Sequence, residues 1–224
     1  MAPLDEFHNH THRNTAYLKS KIHILDALEV QAPAMLGLDR DAFWRSSDRL
    51  LDIGAGSGEM AFYFQRKFAM VAEGLDVLAP SENKYATGSG SRKTFVPVRL
   101  FDGVSLPAAN ASFDIVLFSS VLHHAANKTR GLMQEAARVA RRFIVVAEDL
   151  HIPANPQIIR RNNAHDSKGI FRTLHEWYRL FRATPGVRDV HHSMMCQHLD
   201  DSRKPCYSYN VSHREFYTIF VVEV

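Results

Sequence analysis

The run Leu50-Leu51-Asp52-Ile53-Gly54-Ala55-Gly56-Ser57-Gly58-Glu59 decides how this chain folds. Apolar residues and one acid lead into three glycines that alternate with small residues, and Met60-Ala61-Phe62-Tyr63-Phe64 follows with helical character. The pattern predicts a buried strand, a backbone-permissive turn and a helix N-terminus in immediate succession. Main-chain N–H groups in such a turn approach a ligand closely, and the helix dipole adds partial positive charge. Single residues exclude two common uses of a glycine turn. A dinucleotide fingerprint G-x-G-x-x-G/A needs Gly or Ala where Glu59 stands, and a phosphate loop needs a Gly-Lys-Ser/Thr that is absent.

Downstream, Met70–Asp76 reads as a second strand ending in an acid. Asp76 lies about 20 residues past the glycines, the offset that places a carboxylate on a ribose diol, because the first two strands are neighbours opening onto one crevice. Gly88-Ser89-Gly90-Ser91 disfavours a crossover helix in Pro80–Lys93 and predicts an irregular, mobile connection. Thr94–Leu100 is a third strand, and Pro97 within it predicts an edge position. Then come Asp102-Gly103-Val104-Ser105-Leu106-Pro107 and Ser112-Phe113-Asp114, which opens a fourth apolar strand.

The D-x-G-x-G-x-G run from Asp52, the D-x-x-x-L-P run from Asp102 and the S-F-D at Ser112 resemble the class I S-adenosylmethionine-dependent methyltransferases, in their small-molecule branch. The resemblance implies an α/β fold: a Rossmann-like, doubly wound sheet of seven strands, the last antiparallel, with an N-terminal helical cap. It implies S-adenosyl-L-methionine bound by Asp52, Gly54, Ala55, Gly56 and Gly58, by Asp76 and Val77, by Asp102 and Gly103 toward the adenine amino group, and by Ser119. Asp114 is expected to be structural. The implied chemistry is in-line displacement on a methyl group already activated by its sulfonium, so alignment is the protein's main task. Such positioning supplies roughly 7–11 kcal/mol in well-placed reactions.

The fourth strand runs into Ser119-Ser120-Val121-Leu122-His123-His124, where cofactor and acceptor would meet. A helix is predicted over Ala125–Arg141, then a fifth strand Phe143–Ala147 ending in Glu148-Asp149 beside His151. Strand ends of this kind face the ligand crevice, so His124, with Asp149 and His151, is the candidate base or acceptor-orienting group. A base is needed only for an acceptor that is protonated at working pH. The plainer reading of each is a histidine bonded to backbone or a solvated loop start. Residues 152–171, with Pro153, Pro156, Arg160, Arg161, His165, Asp166 and Gly169, match no regular element and read as a substrate-covering insertion. Thr173 to Glu176 forms a capping box opening a helix through Trp177, which is expected in the core, and Pro185-Gly186 stops it. Val187–Met195 and Phe216–Val224 read as the last two strands, around a connection holding Asp200, Asp201, Tyr207 and Tyr209.

Upstream, Leu18, Ile22, Leu25, Leu28 and Met35 keep helical spacing, punctuated by Pro33 and Gly37, and a short helix is predicted around Arg40–Trp44. His8, His10 and His12 alternate in a polar arm with no second cluster at ligand spacing, so no metal is expected. The divisions are 1–45 for the N-terminal cap and arm and 46–224 for the methyltransferase domain, with 150–172 as the insertion.

At 224 residues the chain suits one full core, and 46% hydrophobic with 23% charged residues is an ordinary globular balance. A net charge of +3 is too small and too spread to predict a nucleic-acid surface. Arg141-Arg142 and Arg160-Arg161 read as solvated pairs, the second hinting at an anionic acceptor. Two cysteines, Cys196 and Cys206, fit a reducing compartment, and no signal or membrane-span pattern is found, so a cytoplasmic location is expected. Ser119–Leu122 stands where enzymes that methylate the exocyclic amines of bases would carry Asn/Asp-Pro-Pro-Tyr/Phe, and no Pro-Cys nucleophile for cytosine occurs there. A small-molecule acceptor is therefore favoured, with oligomeric state open. The alternatives are methylation of a peptide, protein or RNA, aminopropyl transfer from the same cofactor, and a silent methyltransferase fold acting as a scaffold.

Overall fold

The computed structural model describes residues 15–79, 82, 95–198 and 214–224. The histidine arm, nearly all of the Pro80–Lys93 connection and the stretch holding Asp200, Asp201, Cys206, Tyr207 and Tyr209 lie outside these residues.

One sheet of seven strands runs through the centre, in the order β3-β2-β1-β4-β5-β7-β6. The strands are β1 (Arg49–Ile53), β2 (Val71–Asp76), β3 (Val98–Leu100), β4 (Phe113–Ser119), β5 (Ala140–Asp149), β6 (Asp189–His198) and β7 (Arg214–Glu223). All neighbours pair in parallel except β7, which is antiparallel to both β5 and β6. This is the doubly wound, Rossmann-like sheet with an antiparallel last strand that the sequence predicts.

Strand periodicity divides the core in two. Ile115 and Leu117 of β4 pack on one face with Phe143 and Val145 of β5, against α1 (Thr15–Met35), α2 (Arg40–Phe43) and α3 (Glu59–Phe68). Val116 and Phe118 point the other way, joining Ile144 and Val146 beneath α4 (Thr129–Val139) and α6 (Leu174–Arg182). Strands covered on both sides must be apolar on both sides, which is why β4 and β5 read as continuous hydrophobic runs. On the first face Phe43 stacks on Phe143 at 4.7 Å and Trp44 lies 4.4 Å from Phe64. Such ring pairs contribute about 0.5–1.5 kcal/mol beyond area burial.

The cap is tied down by a charge. Glu29 of α1 is buried and accepts from Tyr63 Oη at 2.5 Å and Arg40 Nη1 at 2.7 Å, with Lys67 Nζ 3.5 Å away. A buried carboxylate is costly unless paired, and here partners from α2 and α3 offset the cost. Arg142, expected as a solvated residue, is half-buried: it ion-pairs with Asp48 and lies over the Phe143 ring at 4.8 Å.

Three local expectations are corrected. The segment 152–171 is not irregular throughout, since Pro156–His165 forms a helix, α5. Asn155 supplies the start, its Oδ1 accepting from Ile158 N at 3.3 Å, and proline is tolerated in a first turn where its missing N–H would have no partner. Buried Ile158 and Asn162 anchor it, the latter donating from Nδ2 to Leu150 O at 3.1 Å. Second, the helix expected over Ala125–Arg141 is a 3-10 turn, Ala126–Lys128, followed by α4, and β5 begins at Ala140 with no loop between. Third, β3 is only Val98–Leu100, at the sheet edge as Pro97 predicts.

Candidate active site

Strand order reverses between β1 and β4, and ligands of such sheets sit outside the C-terminal strand ends at that point. Beyond β1, Gly54, Gly56 and Gly58 all take positive φ, at 73°, 59° and 85°. Gly54 N and Ala55 N donate to Leu75 O at 2.7 and 3.1 Å, locking the turn to β2. A Cβ on Gly54 would lie 2.5 Å from Val121 Cγ2, so the glycine turn and the loop after β4 touch at a spot with no room for a side chain.

Three carboxylates surround this turn. Asp52 is buried on β1. Asp76, 5% exposed at the end of β2, accepts from Gly56 N at 2.8 Å through Oδ2 and from Leu78 N at 2.9 Å through Oδ1. Each oxygen retains a lone pair for a hydroxyl donor. Asp102 is exposed, and its Oδ1 accepts from Val104 N and Ser105 N, both at 2.8 Å. The Ser105 and Val104 amides, helped by Lys128, hold its carboxyl below the usual aspartate range. Val77 lies beside Gly103, where a Cβ would meet Val77 Cγ1 at 3.0 Å. Ser119 is half-buried at the end of β4, paired with Ala147. The expected cofactor residues thus lie at or just beyond the C-terminal ends of β1, β2, β3 and β4. Asp114 is structural, accepting from Arg49 N at 2.9 Å where β1 begins, away from the strand ends that carry the crevice.

The loop after β4 hangs on Glu148. This carboxylate is fully buried at the end of β5, and Oε1 accepts from Val121 N at 2.8 Å and Leu122 N at 2.6 Å. Its Oε2 lies 2.6 Å from His123 Nδ1. Burial pushes the His123 imidazole toward the neutral form, but the charges of Glu148, Asp149 and Asp166 and the bond to Glu148 outweigh it, and its pKa is raised. His124 is more open, with 41% of its side chain exposed, and Nδ1 lies 2.6 Å from Asp166 Oδ2. Burial and the neighbouring His123 charge lower its pKa against the pull of Asp166. The neutral form thus prevails at neutral pH, with Asp166 orienting the ring.

The partner of His124 is therefore Asp166, a residue of the insertion to which the sequence assigns no role. The two lie 42 residues apart, a pairing that no local pattern reveals. Asp149 is buried, its charge raising the pKa of His123. His151 is half-buried; its amide donates to Arg172 O at 2.8 Å, and its charge helps hold Glu176 below the usual range. The insertion covers the histidine pair: Ile170 N donates to His123 O at 2.8 Å, and Phe171 stacks on the His123 ring at 4.7 Å. A surface cavity of about 510 Å³, lined by Arg130, Glu176, Arg179, Leu180, Arg182 and Ala183, contains none of these groups.

Residues 51–143 match the profile of the methyltransferase domain family. That stretch is similar to a methyltransferase domain. The matched span runs from β1 to the start of β5 and includes Asp52, the glycine turn, Asp76, Asp102 and both histidines, while Glu148 and Asp166 fall outside it. Among curated relatives, the uncharacterized methyltransferase YcgJ of Bacillus subtilis is 32% identical over 150 residues, covering 62% of this chain and 57% of that protein. The 27-O-demethylrifamycin SV methyltransferase of Amycolatopsis mediterranei is 31% identical over 102 residues, covering 43% of this chain and 36% of that protein. The chain thus spans about half the length of these relatives or less. The crystal structure of YcgJ shares the fold of this chain, with a TM-score of 0.57 at 19% identity over 80% of this chain and 92% of that one. No helix among the described residues is long and apolar enough to cross a membrane.

Proposed function

We propose that the protein transfers a methyl group from S-adenosyl-L-methionine to O, N or C of a small-molecule acceptor by in-line displacement, releasing S-adenosyl-L-homocysteine. The observation that carries the reading is the crevice at the β1/β4 switch point. There the glycine-rich turn bonds to Asp76 through Gly56 N, and Asp102 follows β3, two acceptors suited to a ribose diol and an exocyclic amine. Gly54, Ala55, Gly56, Gly58, Val77, Gly103 and Ser119 shape the same crevice, and Asp52 underlies it. When bound, the cofactor supplies an electrophilic methyl on a sulfonium. Asp76 would accept from the ribose hydroxyls and Asp102 from the adenine amine, so the chemistry of these carboxylates suits the group.

The chain's own residues then position the acceptor. His124, held by Asp166, would serve as base or orienting group, with Asp149 and His151 beside it at the end of β5 and in the next loop. Proton transfer from a positioned group contributes typically about 10²–10⁴-fold, and only for an acceptor that carries the proton. The insertion, whose Ile170 and Phe171 pack on His123, is the substrate-covering element in this reading, and its Arg160–Arg161 pair favours an anionic acceptor. Relatives named as methyltransferases of 27-O-demethylrifamycin SV and of sarcosine/dimethylglycine support a small molecule over a macromolecule. We take the protein to act in the cytoplasm, in keeping with its two cysteines.

Isothermal titration with S-adenosyl-L-homocysteine tests the cofactor assignment: one site is expected, and no binding up to millimolar ligand would sink the reading. His124→Ala should then lower turnover on a protonated acceptor about 10²-fold or more while leaving that affinity within about twofold.

A further inference from the structure

Two features of the histidine pair are left over from methyl transfer. His123 is fully buried, its Nδ1 is committed to Glu148, and among the described residues its Nε2 has no hydrogen-bond partner. An unmatched ring nitrogen in the interior carries a desolvation cost with no return. The second feature is what lies beside that ring. The His124 ring centroid is 3.9 Å from that of His123, and one nitrogen of each ring and an Asp166 oxygen all lie within 4.8 Å of one another. Burial falls from His123, 1% exposed in its side chain, to Asp166 at 20% and His124 at 41%, so the cluster opens outward on one side.

We propose that His123, His124 and Asp166 bind one divalent first-row transition ion, with His123 ligating through Nε2 and Glu148 positioning it. A metal-bound histidine almost always gives its other ring N–H to a carboxylate or carbonyl, which fixes the tautomer and aims the lone pair. Glu148 meets His123 in that manner, and because it also accepts from Val121 N and Leu122 N it cannot swing away to become a ligand itself. Two imidazoles with one carboxylate suit zinc, cobalt, nickel or iron, whereas calcium and magnesium prefer all-oxygen shells. Metal–ligand distances of about 2.0–2.2 Å place ligand atoms roughly 3–3.5 Å apart. The His124–Asp166 contact must therefore widen slightly and the longest separation close, movements left to the two more exposed side chains. The ion replaces a proton or void at Nε2, and three protein ligands leave a position open, as in catalytic rather than structural sites. That position would take an oxygen or nitrogen of the acceptor, which gives the orienting role of His124 a physical form. Only this last step rests on the methyl-transfer reading; ion binding does not.

The test is calorimetric titration of the metal-free full chain with zinc chloride, and cobalt absorption as a second readout. His8, His10 and His12 of the arm, and His191, whose Nε2 lies 2.9 Å from Glu223 and 3.7 Å from Asp189, are changed to Ala in the background so that these alternative ligand groups do not contribute. One ion per chain at micromolar or tighter affinity is expected, with Asp166→Asn and Glu148→Gln each weakening it about 10–100-fold. Asp166 is surface-accessible, so that variant reports on the site rather than on folding, and S-adenosyl-L-homocysteine titration of each variant checks that the crevice survives. Absence of zinc binding in a protein that binds S-adenosyl-L-homocysteine overturns the proposal, as does binding insensitive to both substitutions. Zinc binding with the expected sensitivities but no S-adenosyl-L-homocysteine binding upholds the metal site and defeats the methyl-transfer reading alone.

Discussion

Glu148 Oε2 and His123 Nδ1 are 2.6 Å apart where neither side chain is more than 1% exposed. The carboxylate spends its other oxygen on two consecutive amides, so one buried side chain sets the path of the whole loop between β4 and α4. Removing it leaves three donors in the interior without an acceptor. Glu148→Ala should destabilise the fold by about 3–5 kcal/mol, the usual cost of breaking a buried charge pair from one side. Glu148→Gln keeps one oxygen for the amides and should cost less. Urea unfolding followed by circular dichroism checks the order of the two.

Gly54 carries two separable constraints, a φ of 73° and the 2.5 Å approach to Val121. In Gly54→Ala the backbone part costs about 1–2 kcal/mol and the overpacking about 1–3 kcal/mol. Adding Val121→Ala should recover the second part only. Denaturant midpoints of the single and double variants separate the terms, and equal midpoints would refute the steric share.

Asp76→Ala should weaken S-adenosyl-L-homocysteine binding by roughly 10–100-fold, since it removes a hydroxyl acceptor and frees Gly56 N and Leu78 N together. Asp76→Asn keeps one acceptor oxygen and should fall between. Titration calorimetry measures both, and an unchanged affinity for Asp76→Ala removes Asp76 from the cofactor crevice.

Glu29 gives a pH dependence. Burial raises its pKa, but the bonds from Tyr63 and Arg40 and the charge of Lys67 outweigh this and hold it below the ordinary 4.5. A folded-state value below the unfolded one contributes stability that is present above 4.5 and is lost as pH falls through the folded value. Urea midpoints should therefore drop below pH 4.5 more steeply in the native chain than in Glu29→Gln.

How much of this was readable depended on the range of the interaction. Asp52, the glycines, Asp76 and Asp102 lie on or just past consecutive strand ends, and that placement is legible in the spacing. The sequence reads 152–171 as irregular, yet Pro156 after Asn155 stands where a helix tolerates proline best. The burial of Arg142 depends on Asp48, 94 residues away, and the pairing of Asp166 with His124 depends on how the insertion folds back. Neither leaves a periodic trace.

The position of β7 bears on how the sheet is completed during synthesis. This strand comes last among the seven, yet it lies between β5 and β6. Until residues 214–223 emerge, β5 presents an unpaired edge whose Phe143, Val145 and Val146 are apolar on both faces. Such an edge is a template for pairing with another chain. A nascent or C-terminally clipped chain would thus be the aggregation-prone species, with all the proposed cofactor residues already made.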